Sequence, residues 1–360
     1  MPERESIPVD PTTVDATWMH DALTDAGVAD GGNVLDVTFG GFIGTGQMAR
    51  NARFALTWDD PEGRPASVVG KFPSDDLTGR TSGFDGGTYL NEWTFYRELA
   101  ATVDVRAPRC HVARYDGDGQ NFVLLMEDLS DSVQGDQMLG LDVDRAALAV
   151  EQAVALHAPR WGDPALLGLV KRTPEETETH LHEVYALTME GTLARLGPNL
   201  DTEVIELVRR LAPKVGRWVA SFRDTPLTVV HMDFRPDNFL FGATPGAPPL
   251  VVVDWQTYTA GPGTHDVAYM LGGSFEPDER ADVERDLVAS YGQQLAARGI
   301  DRSFDVCWRD YRVSSIWGVI MSVVATMLAA QTERGDVMLT TMLRRHAHHA
   351  IDLDALDLVN

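Results

Sequence analysis

The segment His231–Asn238 restricts the folds open to this 360-residue chain more than any other part of the sequence. It reads His-Met-Asp-Phe-Arg-Pro-Asp-Asn and runs directly into a short apolar, strand-like stretch. A second such stretch follows and ends in another acid, Asp254. Short strands around polar residues predict that Asp233, Asn238 and Asp254 meet at one site. Phosphoryl transfer to a hydroxyl group uses such a set: one carboxylate receives the proton, while an amide and a second carboxylate hold Mg²⁺.

Composition indicates a globular protein with an acidic surface. Hydrophobic residues make up 44% of the chain, and 54 Asp and Glu against 30 Lys and Arg give a net charge of −24. Nucleic acids and anionic membranes bind basic surfaces, so neither is expected as a partner. The charge favours a cationic or neutral substrate, although many acidic proteins are simply kept soluble in this way.

Cysteine usage and the N-terminus predict a cytoplasmic protein. Cys110 and Cys307 are the only cysteines and form no CxxC pair, which argues against a disulfide framework. No apolar signal segment follows the first residues. The longest apolar stretch, Ile316–Ala330, has 15 residues and is too short to cross a bilayer comfortably, so we expect a buried core helix there.

The chain divides into a strand-rich first third and a mostly helical remainder, which predicts an α+β protein. The predicted strands are Val34–Phe39, Ala49–Trp58, Ser67–Phe72, His111–Tyr115 and Asn121–Met126, and the predicted helices are 10–30, Tyr89–Ala100, Asp144–His157, Pro174–Leu196, Thr202–Arg223 and Glu276–Arg298. Ser74–Gly87 is rich in Gly, Asp and Ser, which predicts a mobile loop. We therefore predict an N-terminal lobe over residues 1–126, a hinge over 127–134 and a helical lobe over 135–360.

A glycine-rich turn, Gly40–Gln47, lies between the first two predicted strands. Glycines such as Gly44 and Gly46 let backbone amides approach phosphate groups without a Cβ clash. The pattern alone is a weak signal, and a strand rather than a helix follows it, so it is no dinucleotide-binding fingerprint. The chain has no GxxxxGK[ST] motif, which excludes a P-loop ATPase.

Lys71 lies in the third predicted strand, where a cation could reach the α- and β-phosphates of a nucleotide. Glu92, in the first turns of the following helix, is the expected carboxylate partner, with Glu98 as the second choice. An edge lysine that points to solvent is the alternative. The order of flap, lysine, acid, catalytic loop and metal acid favours the functional interpretation, because a site is inferred from mutual roles.

The last predicted strand of the first lobe ends at Met126. Adenine placed at this strand end would bond to backbone groups, namely the carbonyl of Glu127 and the amide of Leu129. Such bonds leave no side-chain pattern in a sequence, and an ordinary strand end explains the stretch equally well.

Within the octapeptide, Asp233 is the predicted base, which orients the substrate hydroxyl and accepts its proton late in the transfer. Asn238 and Asp254 are the predicted ligands of Mg²⁺, a metal that takes few carboxylates together with phosphate oxygens and water. Arg235 is placed to contact the γ-phosphate and stabilise developing charge. His231 is expected to hold the loop by hydrogen bonds. 

Asp266 precedes an apolar helix, so a helix N-cap explains it, and it could also brace the catalytic loop. Other polar clusters indicate no competing chemistry. His180 with His182, and His346 with His348 and His349, lack carboxylate or cysteine spacing for a metal, so we expect solvated helix faces. No Gly-x-Ser-x-Gly elbow supports a hydrolase, and no βαβ pattern supports an oxidoreductase.

These residues resemble the aminoglycoside phosphotransferase and choline-kinase-like superfamily, in particular its ecdysteroid-kinase-like (CHK kinase-like) branch. The similar stretches are Asn91–Leu99, His231–Asn238, Val253–Gln256 and Gly261–Ala268, within about residues 40 to 275. The resemblance implies a bilobal protein-kinase-like fold with a small β-rich first lobe, ATP and Mg²⁺ as cofactors, and a hydroxylated small molecule as acceptor. It also implies that Asp233 is the base, that Asn238 and Asp254 bind the metal, and that Lys71 with Glu92 binds the phosphates.

The sequence departs from the superfamily in places. Arg235 stands where many aminoglycoside kinases carry a histidine, and the metal motif is Asp-Trp-Gln rather than the Asp-Phe-Gly of protein kinases. Only 11 residues separate Asp254 from Asp266, with no Ala-Pro-Glu motif after them, which argues against a protein kinase.

Two functional hypotheses follow. The first is a small-molecule kinase whose acceptor is left open among aminoglycosides, sterols, choline-like amines, sugars and hydroxyacyl thioesters. The second is a catalytically silent pseudokinase that acts as a nucleotide-binding or regulatory module. A pseudokinase should have lost at least one of Lys71, Asp233, Asn238 and Asp254, and all four are present.

Overall fold

A computed structural model of the protein describes residues 7–44, 49–117 and 121–359. Its first part is a five-stranded antiparallel sheet in the order β1-β2-β3-β5-β4. The strands are β1 Val34–Ile43, β2 Ala49–Trp58, β3 Ser67–Pro73, β4 Cys110–Asp116 and β5 Asn121–Glu127. Helix α1, Ala16–Asp25, contacts β1 and adds Met19 and Leu23 to the apolar core under the sheet.

Strand β3 is central, because it pairs with β2 on one side and β5 on the other. Lys71 therefore cannot be the solvent-facing edge lysine of the alternative interpretation, and only 7% of it is exposed. Phe54 and Phe72 meet edge to face beneath the strand and contribute to the core. The sheet thus places one lysine on the side that faces the rest of the protein.

The predicted loop Ser74–Gly87 is wrong in its central part, where helix α2 spans Leu77–Asp85. The Asp76 carboxylate caps this helix by accepting a hydrogen bond from the Gly79 amide at 2.7 Å. Gly83 packs against the Tyr89 ring, which leaves no space for a larger side chain. A cap and one close contact therefore stabilise a helix that composition alone does not indicate.

The next helix, predicted as Tyr89–Ala100, forms in three pieces. Helix α3, Thr88–Thr94, runs into a π-helical turn, Phe95–Leu99, and then a 3-10 turn, Ala100–Thr102. The wide turn places the Phe95 ring on Trp255, with centroids 3.8 Å apart and planes 4° from parallel. This stack docks the helix that carries Glu92 against the segment that carries Asp254.

The rest of the protein is mainly helical, as predicted. Its helices are α4 Val143–His157, α5 Pro174–Leu196, α6 Thr202–Leu211, α7 Val215–Ala220, α8 Thr264–Ser274, α9 Pro277–Ala297, α10 Phe304–Ser314, α11 Ile316–Leu328 and α12 Glu333–Asp352. The predicted helix Thr202–Arg223 is interrupted at Ala212–Lys214, where Pro213 cannot continue the backbone hydrogen bonds. Two large apolar clusters fill the space between these helices.

Five short strands lie around the octapeptide and Asp254. They are β6 Ser132–Gln134, β7 Thr228–Val230, β8 Phe239–Gly242, β9 Leu250–Val252 and β10 Thr259–Gly261. Strands β6, β8 and β9 form one antiparallel sheet, and β10 pairs with β7. Strand β6 lies within the predicted hinge 127–134 but pairs with β8, so only the residues between β5 and β6 connect the two parts.

Two helical features bear on the remaining sequence predictions. The continuous helical stretch Phe304–Leu328 is long and apolar enough to span a membrane by length and composition, and 67% of its most apolar window is buried inside the protein. That degree of burial is typical of a core helix. On α12, His346 and His349 are buried rather than solvated, because they pack beneath α8, whereas His348 pairs with Asp201 at 3.1 Å.

Candidate active site

Lys71 lies between two carboxylates that come from distant parts of the chain. Its ammonium nitrogen is 2.6 Å from Glu92 Oε2 and 3.1 Å from Asp254 Oδ1. Burial alone would lower the pKa of Lys71, but the charges of Asp254 and Glu92 outweigh it and raise that pKa. Burial raises the pKa of Glu92, while Lys71 holds the pKa of Asp254 below its usual value despite desolvation. The site therefore holds a permanent cation beside an ionised, 40% exposed carboxylate.

The pairing depends on a contact between the Glu92 helix and the residues after Asp254. Asn91 Nδ2 donates to the Gln256 carbonyl at 3.0 Å, next to the stack of Phe95 on Trp255. The predicted partner Glu92 is thus the one that meets Lys71, and the alternative Glu98 is exposed. The similar motifs around residues 91–99 and 253–256 are the two halves of this contact.

Two non-glycine residues of the site have a left-handed backbone. Met232 and Asp254 both have φ of 68°, a conformation that costs about 1–3 kcal/mol and persists only where the surroundings impose it. The Trp317 indole donates to the Met232 carbonyl at 3.1 Å, and His231 Nε2 bonds to the Val253 carbonyl at 3.0 Å. The bond from His231 to Val253 holds the loop that carries Asp233 against the segment that carries Asp254. His231 therefore has the structural role predicted for it.

Asp266 supplies the strongest brace of the catalytic loop. Its two carboxylate oxygens accept hydrogen bonds from the amides of His231 and Met232, at 2.7 and 2.8 Å. The side chain is fully buried and also lies 3.1 Å from His157 Nε2. Burial opposes ionisation, but these hydrogen bonds and the nearby His157 and His231 hold the pKa of Asp266 below its usual value. Asp266 lies within the first turn of α8, so the brace is observed and the N-cap role is not.

Asp233 lies at the centre of a hydrogen-bonded group. Arg235 Nε is 2.9 Å from Asp233 Oδ1, and Asn238 Nδ2 is 2.9 Å from Asp233 Oδ2. The second arm of Arg235 bonds to Asp237 at 2.9 Å. Arg235 is therefore held beside the predicted base by two carboxylates, and its contact with a γ-phosphate stays a prediction.

The amide of Asn238 has the orientation that a metal ligand needs. Its nitrogen donates to both the Asp233 carbonyl, at 2.8 Å, and the Asp233 carboxylate. Because both partners are acceptors, the NH₂ group must face them and the amide oxygen is left for a cation. The Asn238 carbonyl accepts from the Val253 amide at 3.0 Å, immediately before Asp254. Together these oxygen donors fit Mg²⁺, which binds one or two carboxylate or amide groups and takes its other ligands from phosphates and water.

Two residues of the predicted nucleotide site, Gly44 and Glu127, lie at strand ends of the five-stranded sheet. Gly44 directly follows β1 and has φ of 73°, a backbone that favours glycine, whereas Gly46 lies outside the described residues. The Glu127 side chain is taken up by the Arg109 amide, at 2.9 Å, and by Arg106, at 2.6 Å. The Glu127 carboxylate is therefore already paired, and the bonds from the backbone of Glu127 and Leu129 to adenine stay a prediction.

Surface cavities alone would not have located this site. One of about 710 Å³ and another of about 330 Å³ both border Glu127 and Asp128. Neither is lined by Lys71, Asp233 or Asp254. We identify the site by its converging charges, since a nucleotide cleft between two parts of a protein is open rather than enclosed.

One residue that contacts the predicted catalytic base, Asp233, was not predicted from the sequence. Tyr269 on α8 is buried, and its hydroxyl has Asp233 as a hydrogen-bond partner; burial and that carboxylate raise the pKa of Tyr269 well above its usual range. The ring stacks on His346, with centroids 4.9 Å apart and planes 8° from parallel. In the sequence Tyr269 is one aromatic residue in an apolar helix, and helical spacing predicts only that it faces the core.

Replacing Lys71 with methionine should lower the free energy of unfolding by about 3–5 kcal/mol, because Glu92 would remain buried without its cation. The double variant with Glu92→Gln should recover much of the loss. Lys171→Met at an exposed position is a matched control, since the chain has only three lysines. Urea denaturation measures all four proteins. Equal stability of the wild type and the Lys71→Met variant would contradict a tightly coupled pair.

Comparison with known protein families assigns the chain. The sequence model described as the Phosphotransferase enzyme family (APH) matches residues 50–302, which include the third strand, the octapeptide and Asp254. The chain belongs to this family. No curated protein matches the sequence of the chain in a direct comparison.

Solved structures confirm the α+β, kinase-like fold of this APH-family protein. A candidate aminoglycoside phosphotransferase of Ralstonia eutropha is 16% identical, with a TM-score of 0.55 over 88% of this chain and 92% of that chain. Ethanolamine kinase of Plasmodium vivax is 10% identical, with a TM-score of 0.53 over 88% and 82%. Aminoglycoside 2′-phosphotransferase-IIIa, in a GDP complex, is 16% identical, with a TM-score of 0.51 over 93% and 99%. At these identities the likeness concerns the fold alone.

Proposed function

We propose that this APH-family protein is an ATP- and Mg²⁺-dependent phosphotransferase that phosphorylates a hydroxyl group of a small molecule. The contact of Lys71 with both Glu92 and Asp254 carries the proposal. Three residues separated by 21 and 183 positions come together as a cation for phosphates and a carboxylate for a metal. A pseudokinase has no need to keep this set beside an ordered base, which is why we place it second.

Each residue of the candidate site has a separate role in the proposed reaction. Asp233 orients the acceptor hydroxyl and receives its proton as the new O–P bond forms. Lys71 binds phosphate oxygens, and Arg235 stabilises the charge that develops on the transferred group. Mg²⁺ held by Asn238 and Asp254 would neutralise the remaining phosphate charge. Asp266 contributes indirectly, by keeping the loop amides and hence Asp233 in position.

Several finer assignments belong to the proposal. We place the chain in the ecdysteroid-kinase-like branch on its motifs, and in the cytoplasm on its cysteine usage. Adenine is proposed to bond to the backbone of Glu127 and Leu129, with the glycine turn over the phosphates. ATP is the proposed nucleotide, and GTP is the natural control because one structural relative was crystallised with GDP.

A nucleotide-consumption screen of the purified protein tests the function. ATP and GTP are each offered with Mg²⁺ and a panel of aminoglycosides, sterols, choline analogues, sugars and aliphatic alcohols. We expect acceptor-dependent ADP release that is absent without Mg²⁺ and in the Asp233→Asn variant. Tight Mg-ATP binding with no turnover on any acceptor class would instead support the pseudokinase.

A further inference from the structure

One face of helix α11 is apolar, begins at the catalytic loop and becomes exposed to solvent towards the end of the helix. We call it the α11 stripe and define it as Trp317, Met321, Val324 and Leu328, which recur at the spacing of one helical face. The exposed fraction is 9% at Trp317 and 80% at Leu328, with the two residues between them half-buried. A helix face open to solvent ordinarily carries polar residues, and this one carries none.

The inner end of the α11 stripe is joined directly to the candidate active site. The Trp317 indole donates to the Met232 carbonyl, and Met232 immediately precedes the proposed base, Asp233. Met232, Trp317, Met321 and Val324 also belong to one apolar cluster. A molecule that lies along the stripe would therefore have its inner end beside Asp233.

The side of the stripe towards α5 is formed by apolar residues. Met327 lies over Gly191 of α5, where even a Cβ would come within 2.7 Å of its sulfur. Leu187, one turn earlier on α5, is 84% exposed and continues the surface. Methionine side chains adapt their shape to apolar ligands more readily than branched ones.

The arginine that contacts the outer end of the stripe, Arg195, is already paired with a carboxylate. Arg195 pairs with Asp336, with Nε 2.9 Å from the carboxylate, and also donates to carbonyls at the end of α11, among them Ala329 at 3.0 Å. The segment Ile316–Leu328 itself contains no Asp, Glu, Lys, Arg or His. A polycationic acceptor would find no carboxylate on α11, despite the net charge of −24 for the whole chain.

We propose that the α11 stripe binds the apolar body of the acceptor, so that the substrate class is a hydrophobic alcohol whose hydroxyl lies at Asp233. The inference rests on the proposed phosphotransferase function. The eleven residue-to-residue steps from Trp317 to Leu328, at a rise of about 1.5 Å each, give a stripe about 16 Å long, which suits an extended alkyl chain or a fused-ring body. Continuity with the catalytic loop favours this occupant over a protein partner.

The test compares acceptors that differ only in apolar length. Steady-state kinetics with ATP and Mg²⁺ are measured for 1-butanol, 1-hexanol and 1-decanol, with ethanolamine and kanamycin as polar comparisons. We expect kcat/KM to rise with chain length, towards about fourfold for each fully buried methylene. A flat series, or a preference for ethanolamine or kanamycin, would overturn the inference.

A charge placed at the outer end of the stripe separates recognition from catalysis. Leu328→Lys should lower kcat/KM for 1-decanol about fivefold or more, because the hydrocarbon would lie on an ammonium group, and leave 1-butanol unaffected because it does not reach that far. Leu328 is exposed, so the variant should fold. Leu35→Lys, at a 60% exposed leucine on β1, is the matched control and should change neither. Equal effects of the two substitutions would argue against the stripe.

Binding without turnover distinguishes the two proposals. If no alcohol is phosphorylated but calorimetry shows 1-decanol binding that Leu328→Lys weakens, the α11 stripe is supported as an apolar binding site and the proposed reaction is contradicted. If a polar acceptor is phosphorylated and 1-decanol does not bind, the proposed reaction is supported and the inference about the α11 stripe is contradicted. A dimer of the wild type that Leu328→Lys converts to monomers on size exclusion would assign the stripe to a second copy of the chain and overturn the inference.

Discussion

Asp233→Asn is expected to lower kcat about 10²- to 10⁴-fold and to leave Mg-ATP affinity nearly unchanged. The amide is nearly isosteric and its oxygen can still accept from one of the two donors, Arg235 or Asn238, but it cannot receive the hydroxyl proton. General base catalysis ordinarily contributes that range. Turnover with the acceptor identified in the screen gives kcat, and calorimetry gives the nucleotide affinity. Wild-type turnover in this variant would remove Asp233 from the mechanism.

Asp237→Asn is the matched control for this substitution. Asp237 lies four residues further along the same loop, pairs with the same arginine at 2.9 Å and accepts from the Gln137 amide at 2.8 Å. It has the same chemistry as Asp233 but lacks the contact with Asn238. We expect its loss to change kcat less than about tenfold. Losses of equal size in the two variants would mean that the loop needs its ion pairs rather than a base at Asp233.

Much of the fold could be predicted from hydrophobic periodicity, and its errors have physical causes. Strand β3 and helix α5 were predicted almost to the residue, because β3 is a short apolar run and the start of α5 is marked by the capping box of Thr173 and Glu176. Helix α2 was missed because its stability comes from the Asp76 cap and from the Tyr89 ring. The second of these is a tertiary contact, which no pattern within residues 74–87 encodes.

The candidate site was predictable as far as its residues carry charge or stand in a motif. Lys71, Glu92 and Asp254 are recognisable by their order along the chain, and the structure brings them within contact distance. Tyr269 was not recognisable as a site residue, since an aromatic residue in an apolar helix looks like any core residue. Its role follows from which helix packs against the catalytic loop, and that depends on contacts across most of the chain.

The buried histidines show how a local interpretation fails for the same reason. A stretch with His346, His348 and His349 looks polar, and its solvated neighbour His348 fits that view. The other two lie beneath α8, where burial and the adjacent arginines lower the pKa of His346 to about 3 and keep it neutral. His346 supports the ring of Tyr269, so a residue expected on the surface belongs to the support of the base.

Asp254→Asn should weaken Mg²⁺-dependent nucleotide binding by about 100-fold or more, since losing even an outer partner of a metal ligand costs 10- to 100-fold. The decisive comparison is made with EDTA present. Without the metal, the wild-type carboxylate faces the phosphates of ATP at close range and repels them, whereas the amide does not. The variant should then bind free ATP as tightly as the wild type or more tightly. Calorimetry with and without Mg²⁺ measures both affinities. Glu98→Gln, at an exposed acid in the turn Phe95–Leu99, is the control. A variant that loses affinity equally under both conditions would show that Asp254 holds Lys71 in place rather than a metal.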